Sequence, residues 1–211
     1  MSLHIETIVN YPIPSNCFVV SDTARTSHCI VIDPGTESCN DLMNYLKACR
    51  LIPDCVILTH EHFDHIAGVT LLKRLYDCKL IASEICSVFI QNPKSNLSLF
   101  RDGVGFSVQG ADWKISNHDS FEWYGYHCGI YVAKGHSAGG IVIVMDTNLF
   151  TGDTLMWDLK TVTKLPTSSK EELNHSLDLI KSFRSLGRMH VYAGHGPDFE
   201  LDDYEWKMNE K

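Results

Sequence analysis

The residues Thr59-His60-Glu61-His62-Phe63-Asp64-His65 place three imidazoles and two carboxylates, those of Glu61 and Asp64, within six consecutive positions, directly after the apolar run Val56-Ile57-Leu58. Imidazole nitrogens and carboxylate oxygens are favoured ligands of divalent transition metals. Burying so many unpaired polar groups beside a core would be costly, and a metal ion satisfies them together. Three later segments carry ligand-type side chains in a shared context: Gly135-His136-Ser137, Thr151-Gly152-Asp153 and Gly194-His195-Gly196. Each follows an apolar, strand-like run and abuts glycine, which permits tight turns and close backbone approach. Four strand ends could therefore converge on one metal site.

The elements that must position these residues follow from hydrophobic periodicity. Residues 3–9, 16–21 and 28–32 read as strands, separated by Tyr11-Pro12-Ile13-Pro14 and closed by Asp33-Pro34-Gly35, which predicts an antiparallel opening sheet. Over residues 37–50, Leu42, Met43, Tyr45, Leu46 and Cys49 recur at helical spacing behind candidate caps at Thr36 and Ser38. After Pro53 the run 55–58 fits a strand buried on both faces. Ile66, Val69, Leu72 and Leu75 then follow helical spacing and residues 80–82 form another strand. This β-α-β unit places the histidine cluster in the turn between strand and helix, where α/β scaffolds present chemistry.

Residues 92–112 are rich in Asn, Ser, Gly and charge, and a long irregular segment of this kind is expected to form a lid. Strands are expected at 113–115, 121–126, 130–133, 141–145 and 149–150, the last pair joined by Asp146-Thr147-Asn148. Leu173, Leu177, Ile180 and Leu186 predict a helix entered through Ser168-Ser169, with Glu171 and Glu172 complementing its dipole. Residues 189–193 give a final strand, and 202–211 a solvated tail with Tyr204 and Trp206 packed down.

The chain has 211 residues, 44% of them hydrophobic, enough to bury a sizeable core, and it is expected to form one domain over 1–211. Its formal charge of −8, with no basic run, weighs against nucleic acid as a partner. The start MSLHIETIVN has neither a cationic segment nor an apolar one, and the longest strongly apolar run is about 141–145. A cytoplasmic protein that does not insert in membranes, with a small-molecule substrate, is the expectation. Cys17, Cys29, Cys39, Cys49, Cys55, Cys78, Cys86 and Cys128 are scattered without a C-x-x-C pair and read as reduced, packed thiols. His4, His28, His118, His127, His175 and His190 lie outside the motifs and read as structural or surface residues. Asp33 reads as a turn former in Asp-Pro-Gly, with buttressing of a ligand as the lesser alternative. Trp113, Trp123, Tyr124 and Tyr126 read as packing residues.

The sequence resembles the metallo-β-lactamase superfamily. Residues 59–65 match its HxHxDH signature, and His136, Asp153 and His195 match its later ligand motifs in order. The similarity extends to Asn16-Cys17, residues 31–35, GHSAGG, FTGDTL and GHGP, and so over nearly the whole chain. The resemblance implies an α/β fold, an αββα four-layer sandwich of two mixed sheets with outer helices and metals at one edge. It also implies two divalent ions: His60, His62 and His136 on one, Asp64, His65 and His195 on the other, and Asp153 bridging. Glu61 and Phe63 fall at intervening, non-ligand positions. Zinc is the first expectation for the metal, with iron or manganese as alternatives.

Within the superfamily the sequence is most similar to the glyoxalase II-like (hydroxyacylglutathione hydrolase-like) branch, including Asn96-Leu97-Ser98. It departs in two places. Only a short tail follows His195, where that branch carries a helical extension that helps hold glutathione, and Lys134 stands where proline usually precedes Gly-His.

The resemblance implies a dinuclear ester or thioester hydrolase. Two cations would hold a water and lower its pKa from about 15.7 toward roughly 7, with Asp64 orienting it and accepting its proton. Two other readings stay open at this stage. His60, His136 and Asp153 also form a two-histidine, one-carboxylate set suited to non-haem iron, as in a persulfide dioxygenase. A metal-stabilised binding module without turnover is the third.

Overall fold

Alternation of side chains along the buried strands divides the core into layers. A computed structural model describes residues 3–206. In β2 (Asn16–Ser21), all of whose residues are buried, Cys17 and Val19 join one apolar cluster while Phe18 and Val20 join another. This is the period-2 pattern of a strand covered on both faces.

The first sheet has the order β1-β2-β3-β4-β5-β6. Its other strands are β1 (His4–Val9), β3 (His28–Ile32), β4 (Ile52–Ile57), β5 (Lys79–Ser83) and β6 (Trp113–Ile115). The opening three strands are antiparallel, as expected, and β3 through β6 are parallel. The second sheet has the order β12-β11-β10-β9-β8-β7. It comprises β7 (His118–Trp123), β8 (Tyr126–Val132), β9 (Ile141–Met145), β10 (Asn148–Gly152), β11 (His190–Ala193) and β12 (Phe199–Glu200). Here β10 and β11 are parallel and the remaining pairs antiparallel.

Phe18, Ile30, Ile32 and Ile57 of the first sheet meet Ile130, Ile141, Ile143 and Phe150 of the second in a shared cluster. Full burial of each such side chain contributes about 1.5–3 kcal/mol. Outside the first sheet pack α1 (Asn40–Cys49), α2 (Phe63–Ile66), α3 (Val69–Tyr76) and α4 (Glu84–Phe89), through residues such as Leu42, Leu46, Ile66, Leu72 and Cys86. Outside the second packs α6 (Lys170–Ser182), through Leu173, Leu177 and Ile180; α5 (Ser98–Asp102) lies in the long connection before β6. The layers are helix, sheet, sheet, helix, the αββα sandwich expected from the sequence.

Several local expectations need correction. The predicted strand 121–126 is broken by a hairpin turn: residues 121–123 end β7 and Tyr126 starts β8, while Tyr124 and Gly125 take φ of 46° and 84°, which a two-residue turn of primed type requires. The first helix begins at Asn40, not 37. Cys39, with φ 48°, precedes it, and neither Thr36 nor Ser38 supplies a side-chain cap. Thr36 is instead engaged with Asn10 and Tyr11. Pro53 lies inside β4, at a register shift opposite Cys29 and Ile30 where a missing N–H is tolerated. Asp64 and His65 sit inside the short α2, not in a turn.

Residues 92–112 are neither disordered nor loose. The fully buried Asn96 donates to the carbonyls of Ile90 and Phe106 and accepts from Ser98 N–H, folding the segment onto the first layer. At the other end, Tyr204 is buried and Trp206 packs against the α6 cluster as expected, while residues 207–211 lie outside the described ones. The eight cysteines are free, and all but Cys49 are buried. Among the described residues no helix is long and apolar enough to cross a membrane.

Candidate metal centre

The strand directions bring the ligand-type residues to one edge of the sandwich. His60 follows β4 in the first sheet; His136, Asp153 and His195 follow β8, β10 and β11 in the second. The Thr59 carbonyl accepts the Ile141 N–H at 2.8 Å and so stitches the two sheets together at this edge. All seven residues predicted from the sequence gather there. The ligand atoms of His60, His62 and His136 lie within 4.8 Å of one another, and so do those of Asp64, His65 and His195.

His62 Nδ1 stands 3.0 Å from both His60 Nε2 and His136 Nε2. Three nitrogens bound to one tetrahedral ion stand roughly 3.3 Å apart, so these two separations are close to those a metal would set. Asp153 lies between the two groups. Its Oδ2 is 3.4 Å from His136 Nε2, 4.0 Å from His60 Nε2 and 3.5 Å from His195 Nε2, and its Oδ1 is 3.5 Å from His65 Nε2. Asp64 Oδ2 is 3.4 Å from His195 Nε2 and 3.7 Å from His65 Nε2.

Four of the five rings are pinned from behind, which assigns their tautomers through the hydrogen-bond network. His136 Nδ1–H donates to Val162 O at 3.1 Å and His195 Nδ1–H to Pro14 O at 2.9 Å. His65 Nδ1–H donates to Asp33 Oδ2 at 3.0 Å. The Thr59 hydroxyl donates to the same oxygen at 2.5 Å, so it must accept from His60 Nδ1–H at 3.1 Å. The inward Nε2 atoms of all four therefore carry lone pairs in the neutral rings. Those lone pairs face one another or face carboxylates, an arrangement that only a cation or added protons can relieve. Consistent with this, the buried His65 Nε2 and Asp153 Oδ1 have no hydrogen-bond partner. The residues present fit a metal.

Electrostatics divides the site. Burial and the neighbouring His136 hold His62 down at about 3, and burial lowers His60 and His136 as well, so this trio is neutral without a metal. Burial also opposes charge on His65 and His195, but the adjoining carboxylates prevail and raise them to about 9 and about 11. Burial pushes Asp64 and Asp153 up, yet the histidines facing them hold both below the usual carboxylate range.

Asp33 corrects the sequence reading. It does form the turn, with φ 53°, but it is fully buried and its carboxylate accepts from Thr59 N at 2.7 Å, from the Thr59 hydroxyl and from His65. With both oxygens so engaged it is a buttress and not a ligand, although it lies close enough to His60 and His65 to be one. The parallel pairing of Ile32 with Ile57 puts Asp33 beside the histidine cluster, a relation invisible without the register. Three other supports went unassigned. The Ser15 hydroxyl donates to Asp64 O at 2.5 Å; Asn16 Nδ2 donates to Ala193 O and Gly196 O around His195; and Asn10 Nδ2 donates to Ser15 Oγ and Asp33 O. Glu61 is fully buried; its Oε2 accepts from Ser137 Oγ at 3.0 Å while Oε1 has no hydrogen-bond partner. Gly194 leaves space for Asp153: a Cβ there would stand 2.1 Å from Asp153 Oδ1.

Comparison with known proteins finds relatives in sequence and in fold. A probable polyketide biosynthesis zinc-dependent hydrolase, BaeB, of Bacillus velezensis is 26% identical over 179 residues, covering 85% of this chain and 72% of that one. A hydroxyacylglutathione hydrolase of Photobacterium profundum is 29% identical over 129 residues, 61% of this chain and 43% of that one. Among solved structures, the BLEG-1 B3 metallo-beta-lactamase superposes with a TM-score of 0.85 at 24% identity, covering 94% and 95% of the two chains. A protein crystallised in a di-iron-bound form superposes at 0.76 and 23% identity over 93% and 95%. The profile of the metallo-beta-lactamase superfamily matches residues 10–186, and the chain accordingly belongs to that superfamily of metal-dependent enzymes.

Proposed function

We propose that the protein is a dinuclear metallohydrolase of esters or thioesters, of the glyoxalase II-like type. The observation that carries this reading is the position of Asp153 between two ligand groups, within 3.5 Å of His136 on one side and of His65 and His195 on the other. His60, His62 and His136 would hold one ion, Asp64, His65 and His195 the second, and Asp153 both. Zinc suits the imidazole and carboxylate donors, and the absence of thiolates separates the set from closed structural sites. Bound divalent ions supply Lewis acidity toward a carbonyl and lower the pKa of water toward about 7.

The chain's own residues do the rest. Asp64, whose backbone carbonyl is held by the Ser15 hydroxyl, presents Oδ2 beside His195 and accepts the proton of the attacking water. Asp33, Val162 and Pro14 keep His65, His136 and His195 in the tautomers that point lone pairs inward. No side chain need act as nucleophile, and a thiolate leaving group needs little protonation. The relatives named as a zinc-dependent hydrolase and a hydroxyacylglutathione hydrolase support hydrolysis as the reaction class.

Metal analysis of freshly purified protein, with an ester, thioester and lactone panel, tests the reading. Zinc near two per chain and turnover lost in His60→Ala and Asp153→Ala are expected. Full activity and metal content in those variants would overturn it. One iron per chain, with oxygen uptake on a glutathione persulfide, would replace it with a dioxygenase.

A further inference from the structure

Beside the metal centre runs an apolar groove of about 480 Å³, lined by Ile13, Phe63, Leu97, Phe100, Leu165 and Pro166, with Arg101 at its edge. Its volume lies within the range of small-molecule sites. Ile13, Phe63 and Arg101 also line a second cavity, of about 360 Å³, whose wall includes Asp64. The groove thus shares its Phe63 wall with a cavity that reaches Asp64, and Phe63 itself lies between the ligand-type residues His62 and Asp64.

Each wall is fastened to a residue of the centre. Phe63 lies in sequence between His62 and Asp64, and its N–H donates to Asn96 O at 2.9 Å, tying the histidine cluster to the segment that carries Leu97 and Phe100. Ile13 precedes Pro14, whose carbonyl accepts His195 Nδ1–H. Leu165 N–H donates to Ser168 Oγ, whose hydroxyl donates to His136 O at 2.7 Å. A substrate with its carbonyl at the centre would reach this groove across Phe63.

Arg101 does not make this an anion site. Its guanidinium is engaged by Glu37 at 3.1 Å and Asp102 at 2.6 Å, and lies 5.7 Å from the Phe63 ring centroid and 5.8 Å from that of Phe106. Two carboxylates against one cation leave no net positive charge for a charged substituent. Phe100 meanwhile keeps 71% of its surface exposed in the groove mouth, an apolar surface that a ligand chain would cover.

We infer that this groove is an acyl-chain subsite, which makes the substrates esters or thioesters of uncharged, aliphatic acyl groups several carbons long. The inference rests on the hydrolase reading for the reaction and on the groove alone for chain selection.

Two series separate these. Hydrolysis of N-acetylcysteamine thioesters from acetyl to octanoyl is expected to show kcat/KM rising at least about tenfold by hexanoyl; full burial would give roughly fourfold per methylene. Straight-chain hydroxamic acids of the same lengths, titrated calorimetrically into the metal-loaded protein, report the groove without turnover. Their affinity is expected to rise with length. Phe100→Ser should flatten both slopes at least about threefold while Phe100→Leu retains them, and thermal melts verify folding. Hydroxamate affinities independent of length in the parent protein, or slopes unchanged by Phe100→Ser, would overturn the subsite even if hydrolysis is found. A rising hydroxamate series with no turnover on any ester, thioester or lactone would uphold the subsite and overturn the hydrolase reading.

Discussion

Asp33 Oδ2 accepts His65 Nδ1–H at 3.0 Å and, on the same oxygen, the Thr59 hydroxyl at 2.5 Å. One buried carboxylate, 0% exposed, thereby sets the tautomer of His65 directly and that of His60 through Thr59. Histidines from both ligand groups depend on it.

Asp33→Asn is expected to weaken metal affinity and activity about 10- to 100-fold, the usual loss when an outer partner of ligating histidines is removed. The amide offers a single acceptor oxygen to three donors and turns an N–H toward one of them. Metal dissociation constants from competition with a chelator check this. Affinity within about twofold of the parent would remove Asp33 from the role.

Metal uptake should release protons. In the metal-free protein His65 and His195 are raised to about 9 and about 11, so at about pH 7.5 the cation displaces protons from the Asp64, His65 and His195 group. Apparent affinity of that group therefore falls as pH drops, whereas the other trio, with His62 held at about 3 and His60 and His136 lowered by burial, has no added protons to give up at that pH. The raised His65 also stabilises the metal-free fold below its unfolded pKa, and that stability is lost as pH rises through about 9. Calorimetric titrations in two buffers of different ionisation enthalpy measure the released protons; identical heats would contradict the assignment.

Gly194→Ala should empty the site without dissolving the sandwich. The added Cβ would meet Asp153 Oδ1 at 2.1 Å, and also the Gly152 carbonyl carbon and His65 Cε1, both at 2.9 Å. The carboxylate can swing away, but the backbone carbon cannot, so an overpacking cost of about 1–3 kcal/mol accompanies the loss of metal. Elemental analysis beside circular dichroism tests this: native-like dichroism with metal reduced by half or more is expected, and full metal content would refute it.

Asn96→Ala tests the long connection. Removing this side chain leaves the Ser98 N–H without its acceptor and takes one of two donors from each of the Ile90 and Phe106 carbonyls, which keep the Val108 N–H and the Ser98 hydroxyl. At about 1–3 kcal/mol for the one N–H left buried and unpaired, a loss of about 2 kcal/mol and a fall in Tm of roughly 4–8 °C are expected. A melt unchanged within about 2 °C would show that residues 92–112 are held by other contacts.

The sequence by itself determined where ligand-type side chains must stand: after Leu58, Ala133, Gly152 and Ala193, each at the end of an apolar run whose burial dictates a strand. Local signals of this kind need no knowledge of neighbours, and the HxHxDH spacing together with GHSAGG, FTGDTL and GHGP sufficed to name the superfamily and the layered fold. Tertiary structure decided what depends on register and on distant partners. Asp33 becomes a buttress because β3 and β4 run parallel with Ile32 opposite Ile57, not because of anything within Asp-Pro-Gly. The turn at Tyr124-Gly125 lay hidden in an aromatic run that propensity reads as strand. The groove at Phe63 exists only because Ile13, Leu97 and Leu165, far apart in the chain, are brought to one face by hydrogen bonds from the loops that carry His195, Phe63 and His136. Periodicity records which residues are buried; which buried residues meet is settled by strand order and register.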